Sequence, residues 1–373
     1  MASSGAVKLL LCGDVMTGRG IDQIMPHPLD PGLHEGFVAS ALDYVRLAEA
    51  ANGPIPRAVG FDYIWGDALA IWNALAPDVR IINLETAVTR SDAYMPKGIN
   101  YRMSPDHIAC LTAAGIDACT LANNHVLDWG ETGLTETLAV LERSGIRTAG
   151  AGTDLAAAEA PAVIETRRNS RVLLIACATG DCGVPESWAA SSERAGVNRV
   201  DLSDATVDRI ARAFAGMRRP GDIAVVSIHW GVNFGYAVPE AHRRFARALI
   251  DRADVSVVHG HSSHHPQAAE VHHERLILYG CGDLLNDYEG IGGMEDYRGD
   301  LTAAYLPAID PESGALVSVE VTPFRVVRFQ LKTPGAEDLA WLRTRLGREY
   351  EQFGLRLEEP SPSLLRLRWD KVA

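Results

Sequence analysis

Residues 223–265 read IAVVSIHWGVNFGYAVPEAHRRFARALIDRADVSVVHGHSSHH. Residues 223–228 are a short run of β-branched and aliphatic side chains, and so are residues 255–258, which reads as two strands. Between them, residues 239–250 carry Phe245 and Leu249 on one face at helical spacing, opened by Pro239. Strand, helix and strand in that order argue for α/β layers with the sheet inside, and periodicity alone leaves parallel and mixed sheets both open. Both strands run straight into histidines: His229-Trp230-Gly231 after the first, His259-Gly260-His261-Ser262-Ser263-His264-His265 after the second.

The same rhythm extends outward. Residues 7–12, 79–82, 118–122, 172–178 and 276–279 are further strand-like runs, and residues 133–143 form a helical pattern with Leu134, Leu138 and Leu141 on one face. Strand ends again carry chemistry: Gly13-Asp14, Asn83-Leu84-Glu85 and Asn123-Asn124-His125. Singly these are bland, since an aspartate or glutamate there can cap a turn and Asn-Asn is an ordinary turn signal. Five strand ends are a different matter, because ligands of open α/β sheets gather at the carboxyl ends of the strands. Carboxylates, an amide oxygen and imidazoles together suit Mn, Fe or Zn and suit Mg or Ca poorly. No thiolate stands among them, which favours a catalytic hydrolytic site over a closed structural zinc. The six cysteines have no CxxC pair and read as reduced, buried hydrophobes.

The chain has 373 residues and is read as one domain over 1–373, with two departures from the alternating pattern. Residues 20–67 form a long insertion after the first strand, with a helix expected over 37–50, and are a candidate lid or substrate wall. Residues 317–373 read as a scaffold extension of two strands, 318–320 and 325–331, and a helix over 336–353. The formal net charge of −13, with no Lys/Arg cluster, argues against nucleic acid while leaving a small anionic substrate open, because bound cations reverse the local sign of an acidic site. Residues 1–7 lack the pattern of a secretory leader, and no apolar run approaches the ~20 residues of a membrane span, so no membrane association is expected and the cytoplasm is the expected location. The oligomeric state is not legible.

Taken in order, Gly13-Asp14-Val-Met-Thr-Gly-Arg19, Asn83-Leu-Glu85, Ala122-Asn-Asn-His125, His229-Trp-Gly231 and Gly260-His261-Ser-Ser-His264 resemble the CapA family, poly-gamma-glutamate biosynthesis proteins of the calcineurin-like metallophosphoesterase superfamily. The resemblance implies a two-layer β-sandwich flanked by helices, with a dinuclear metal centre at the strand ends. It implies Asp14 and Glu85 as oxygen ligands, Glu85 in the bridging place, and Asn124, His229, His261 and His264 as the remaining ligands. His125 then resembles the histidine that protonates the leaving group. Three positions depart from the pattern. Met16 stands where the superfamily carries a histidine and Asn233 where the family carries a glutamate. Cys281-Gly282-Asp283-Leu284 replaces Leu-Gly-Asn-Phe, which makes Asp283 a further candidate ligand or base.

The expected activity is hydrolysis of a phosphate ester, with two divalent transition metal ions and Asp14 and His125 at the reacting centre. Arg19 and Arg102 are candidate anion clamps, since a guanidinium matches phosphate or carboxylate oxygens bidentately, and Asn123 is a third candidate substrate contact. Two rivals remain. One keeps the metals and cleaves or transfers a gamma-glutamyl amide, whose adduct also puts charge on oxygen. The other is a non-catalytic protein that holds a glycan or polyanion.

Overall fold

The computed structural model describes residues 5–370 apart from 169 and 294. Residues 1–4, part of the segment read as lacking a leader, and 371–373, the end of the C-terminal extension, lie outside the described residues.

Two large mixed sheets carry the architecture, beside two two-stranded ones. In the first, the parallel strands Val7–Val15, Val79–Leu84, Ala118–Thr120 and Arg147–Ala149 lie side by side. Beyond Val7–Val15 the sheet continues antiparallel through Leu301–Ile309, Leu316–Val327 and the hairpin of Leu364–Trp369 with Leu355–Ser361. The second sheet runs Ala269–His272, Arg275–Leu278, Val257–His261, Ile223–His229, Arg171–Ala178, Ala162–Glu165, parallel except at its two edges. Among the described residues neither sheet closes on itself.

Period-two alternation shows how the sheets stack. Along Arg171–Ala178, Val172, Leu174 and Ala176 join one core cluster with Leu10, Cys12 and Ile81 of the first sheet. The intervening Leu173, Ile175 and Cys177 join a second cluster with Phe214 and Phe245, which come from the helices Asp204–Ala215 and Glu240–Ala253. The second sheet therefore has the first sheet on one face and two helices on the other, which is the sandwich implied by the resemblance. The helices Ala68–Leu75, Gly130–Arg143 and Ala336–Glu351 set Trp72, Leu134, Leu141 and Leu346 into the large cluster. The six cysteines are free and buried. No helix of the described residues is long and apolar enough to cross a membrane.

Two sequence expectations change in detail. The helix of the insertion is Ala41–Asn52 rather than 37–50, with Ser40 accepting from Leu42 N as its cap and Phe37 left 70% exposed before it. In the extension, the two expected strands are one long strand, Leu316–Val327, which turns back at Arg328 and Phe329, both at positive φ (55° and 57°), into Gln330–Lys332. That extension is part of the first sheet and not an appendage to it.

Candidate metal centre

Register brings the ligands together. In the second sheet His229 is the Cα partner of His261, so the last residues of two parallel strands stand side by side. Period two places His229 on the face of Ser227, and His261 on the face of His259, whose Nε2 reaches Cys12 O of the first sheet at 3.0 Å. Both imidazoles thus point between the sheets. In the first sheet Asp14 is the partner of Asn83 and also of Asp283. That double pairing needs Gly13, where a Cβ would stand 1.9 Å from Gly282 O.

Two triads of ligand atoms result, and they share Asp14. One is Asp14, His229 and His261, the other Asp14, His264 and Asp283, and within each the atoms lie within 4.8 Å of one another. His229 Nδ1 and His261 Nδ1 are 2.8 Å apart, and each lies near Asp14 Oδ1, at 3.9 and 3.6 Å. His229 Nε2 faces Asn124 Oδ1 at 3.1 Å. His264 Nδ1 meets Asp283 Oδ1 at 2.8 Å. Glu85, implied in the bridging place, falls outside both triads. Its Oε1 stands 3.9 Å from His229 Nε2 and 3.8 Å from His125 Nε2, and Asn83 Nδ2 spans Asp14 Oδ1 at 2.7 Å and Glu85 Oε2 at 3.4 Å. In this geometry the shared carboxylate is Asp14.

The electrostatics fit a cation. Burial, then the nearby Asp283, pushes the Asp14 carboxyl up to about 7, and burial with Asp14 beside it holds Glu85 well above the usual range. Burial keeps His229 and His261 neutral, the form in which imidazole ligates. Packed carboxylates beside two imidazole nitrogens that face each other are a donor set of mixed O and N type, which suits a divalent transition metal. His264 differs: burial opposes its charge, yet Asp283 and then Asp14 together outweigh this and raise it.

Beside the triads stands His125. Its Nδ1 meets Asp128 Oδ2 at 2.7 Å, and Asp128 also accepts from Tyr101 N at 2.6 Å and Lys97 Nζ at 2.7 Å. Lys97 Nζ lies 3.3 Å from His125 Nδ1 and donates to Asn124 O. Burial pulls His125 down to about 4, with Asp128 opposing and Lys97 assisting. Above this group opens a cavity of about 430 Å³, lined by Asn124, His125 and His264 together with residues of the insertion.

The family model for the bacterial capsule synthesis protein PGA_cap matches residues 8–288. The chain belongs to that family. A probable polyglutamine synthesis accessory protein of Mycobacterium tuberculosis is 46% identical over 364 residues, covering 97% of this chain and 96% of that protein. The PGA biosynthesis protein CapA of Bacillus subtilis is 26% identical over 277 residues, 74% of this chain and 62% of that one. A crystal structure titled as a novel phosphatase of Mycoplasma pneumoniae aligns with 87% of this chain and 95% of its own at a TM-score of 0.46 and 12% identity, too distant a likeness to bear on function.

In this PGA_cap chain three expected substrate contacts have other work. The Arg19 guanidinium is buried and most of its donors are taken: Nε to Asp287 Oδ2 at 3.1 Å, Nη2 to Asp287 Oδ1 at 2.5 Å, and Nη1 to Glu35 and Tyr44 at 3.0 Å. It is a pin between the insertion and the residues after Asp283, not an anion clamp. Arg102 stacks over Trp129 at 3.9 Å and donates to Ser91 O and Asp92, away from the cavity above the triads. Asn123 is buried and faces inward. It donates to Asn83 Oδ1 and Leu84 O and accepts from His125 N and Val126 N, so it sets the loop that carries Asn124 and His125. The sequence reading left out Asp128 and Lys97. Asp128 lies three residues after His125, a spacing that could have flagged an orienting carboxylate, whereas Lys97 comes from a distant loop with no local signal.

Proposed function

We propose that this PGA_cap chain is a metal-dependent hydrolase that cleaves a phosphate ester of a small anionic substrate, in support of capsule or polyglutamate synthesis. One observation carries the reading: two triads share Asp14, and His125, held by Asp128, lies next to them and with His264 lines an open cavity. A binding site alone has no use for an oriented imidazole 3.8 Å from Glu85.

Asp14, His229, His261, His264 and Asp283 would hold two ions of Mn, Fe or Zn, with Glu85 and Asn124 within reach. When bound, such ions lower the pKa of water and neutralise charge on the bond under attack. The chain's own residues do the rest. Asp128 holds the His125 Nδ1 proton, and Nε2, protonated in its turn, gives its proton to the departing oxygen and regains one from water. An arriving phosphate dianion raises the His125 pKa from its depressed value toward the working range. Lys97 adds a positive charge at the cavity edge.

Gamma-glutamyl hydrolysis or transfer is the second reading, favoured by the names of the relatives, which speak of polyglutamine synthesis and PGA biosynthesis. Elemental mass spectrometry on wild type and on the Glu85→Ala, His261→Ala double variant, with turnover of phosphate esters compared with gamma-glutamyl peptides, separates these readings. About two ions per chain, lost in the double variant, with phosphate release abolished in His125→Ala at unchanged metal content, is the expected result. Absence of metal after loading with manganese, iron or zinc would overturn it in favour of a glycan or polyanion binder.

A further inference from the structure

The cavity over the triads has a volume, about 430 Å³, within the range of small-molecule sites. Its walls are aromatic. Tyr101 meets the His125 ring edge-on at 4.6 Å, and Phe234 and Tyr288 lie 5.6 and 5.7 Å from the His264 ring. Phe37 and Tyr44 close the side formed by the insertion.

The tyrosine hydroxyls are spent inside the wall. Tyr44 Oη donates to Glu35, Tyr101 Oη to Tyr288 Oη at 3.0 Å, and Tyr288 Oη points at Met16 Sδ at 3.5 Å. Arg19 braces the Tyr44 and Tyr101 rings from behind, 3.9 and 4.3 Å from their centroids. The tyrosine rings are pre-organised, so this part of the wall needs little ordering when a ligand enters. Among the described lining residues there is no Asp or Glu, and Lys97 is the only lysine or arginine besides the internally paired Arg19.

A chain of repeated carboxylates needs a succession of cationic contacts, which this lining does not offer. One anionic group at the floor and a ring against the wall match it better. We propose that the site takes a phosphomonoester whose alcohol portion carries an aromatic ring, an aryl or nucleoside monophosphate, with the phosphoryl group at the triads and Lys97 and the ring on Phe37 and Phe234. This rests on the hydrolase reading for the chemistry alone: the bond between phosphorus and the alcohol oxygen breaks, the water oxygen bonds phosphorus, and a water proton ends on the alcohol.

The test separates binding from turnover. Metal-loaded full chain is titrated calorimetrically with phenylphosphonate and with methylphosphonate, neither of which it can hydrolyse, and phenyl phosphate hydrolysis is assayed in parallel. Phenylphosphonate is expected to bind at least about tenfold more tightly, because aromatic contacts add to the area buried. That ratio is expected to fall to near one in the Phe37→Ala, Phe234→Ala double variant, with metal content and thermal melting measured alongside. Phe37 is 70% exposed, so its truncation leaves the core intact and Phe37→Ala alone serves if the double variant misfolds. Equal affinity for the two phosphonates, or binding of neither, overturns the proposal. A phenyl preference without turnover of any phosphate ester supports the ring site and rejects the hydrolase reading.

Discussion

At His125 the two ring nitrogens face different surroundings, and that asymmetry is the most testable feature of single residues here. Nδ1 is tied to Asp128, while Nε2 looks toward Glu85. Asp128 acts through His125 and is a positioning residue. Asp128→Asn is therefore expected to lower kcat about a hundredfold, the low end of what a positioned acid or base contributes, with metal content unchanged. Its second readout is the pH–rate profile, whose limb assigned to His125 should shift once the carboxylate charge is gone; a profile and kcat like those of wild type would remove Asp128 from the mechanism. The residues that the strand ends bring together here are those whose type names their chemistry: Asp14, His229, His261 and His264 in the triads, with Glu85 beside them. Arg19 was misread because an arginine's role depends on its partners. Glu35 lies 16 residues away and Asp287 268, and no local pattern announces either.

Among elements, the short aliphatic runs were legible and their ends nearly so, because strands buried on both faces have a composition of their own. Leu301–Ile309 was missed. It is buried throughout and paired on both sides, yet more than half of its sequence is alanine, threonine and proline, and Pro307 argues locally against a central strand. Tertiary pairing overrides that preference. Close approach between elements is equally illegible, and Gly13 shows its energetic side. Gly13→Ala would press a methyl onto Gly282 O, and a loss of about 3 kcal/mol in chemical denaturation is expected, together with weaker metal binding because Asp14 and Asp283 share that contact. Stability equal to wild type would show that the strand can slide. A second element-level device is Asp181, an exposed residue whose carboxylate is held well below its usual range by His242, then by Thr179 and Gly231 N. It ties the helix Glu240–Ala253 to the loop after Ile223–His229. A carboxylate with a depressed folded pKa contributes stability that is fully present above its unfolded pKa and is lost as pH falls through the folded one. Asp181→Asn is thus expected to cost about 1 kcal/mol at pH 7, after allowance for solvent screening, and to converge on wild type as pH falls from about 4 toward 2. A difference that stays constant across that window would assign the effect to packing.

In the whole molecule, the site is built where the two sheets meet. Asp14, Glu85 and Asp283 come from the first sheet and its loops, His229 and His261 from the second, with His264 just beyond. Beneath them the sheets touch through polar contacts as well as packing, Ser227 Oγ with Thr120 Oγ1 at 3.4 Å and His259 with Cys12 O at 3.0 Å. A cation held by both halves would therefore oppose their separation and relieve the repulsion among buried carboxylates. Because the unfolded chain cannot assemble residues that far apart in sequence, binding energy adds to folding energy. At a free metal concentration about 100 times Kd the gain is about 2.7 kcal/mol, which for a chain of this size raises Tm by about 3 °C. His261→Ala, which removes one of the second sheet's two ligands to that triad, is expected to melt lower than wild type and to lose most of that metal-dependent increment, whereas Arg102→Ala, away from the centre, should keep it. Scanning calorimetry of the three proteins with chelator and with manganese or zinc decides the matter: an increment that is the same in all three would mean that the ions bind elsewhere, and that the carboxylates and imidazoles between the sheets do not act as one centre.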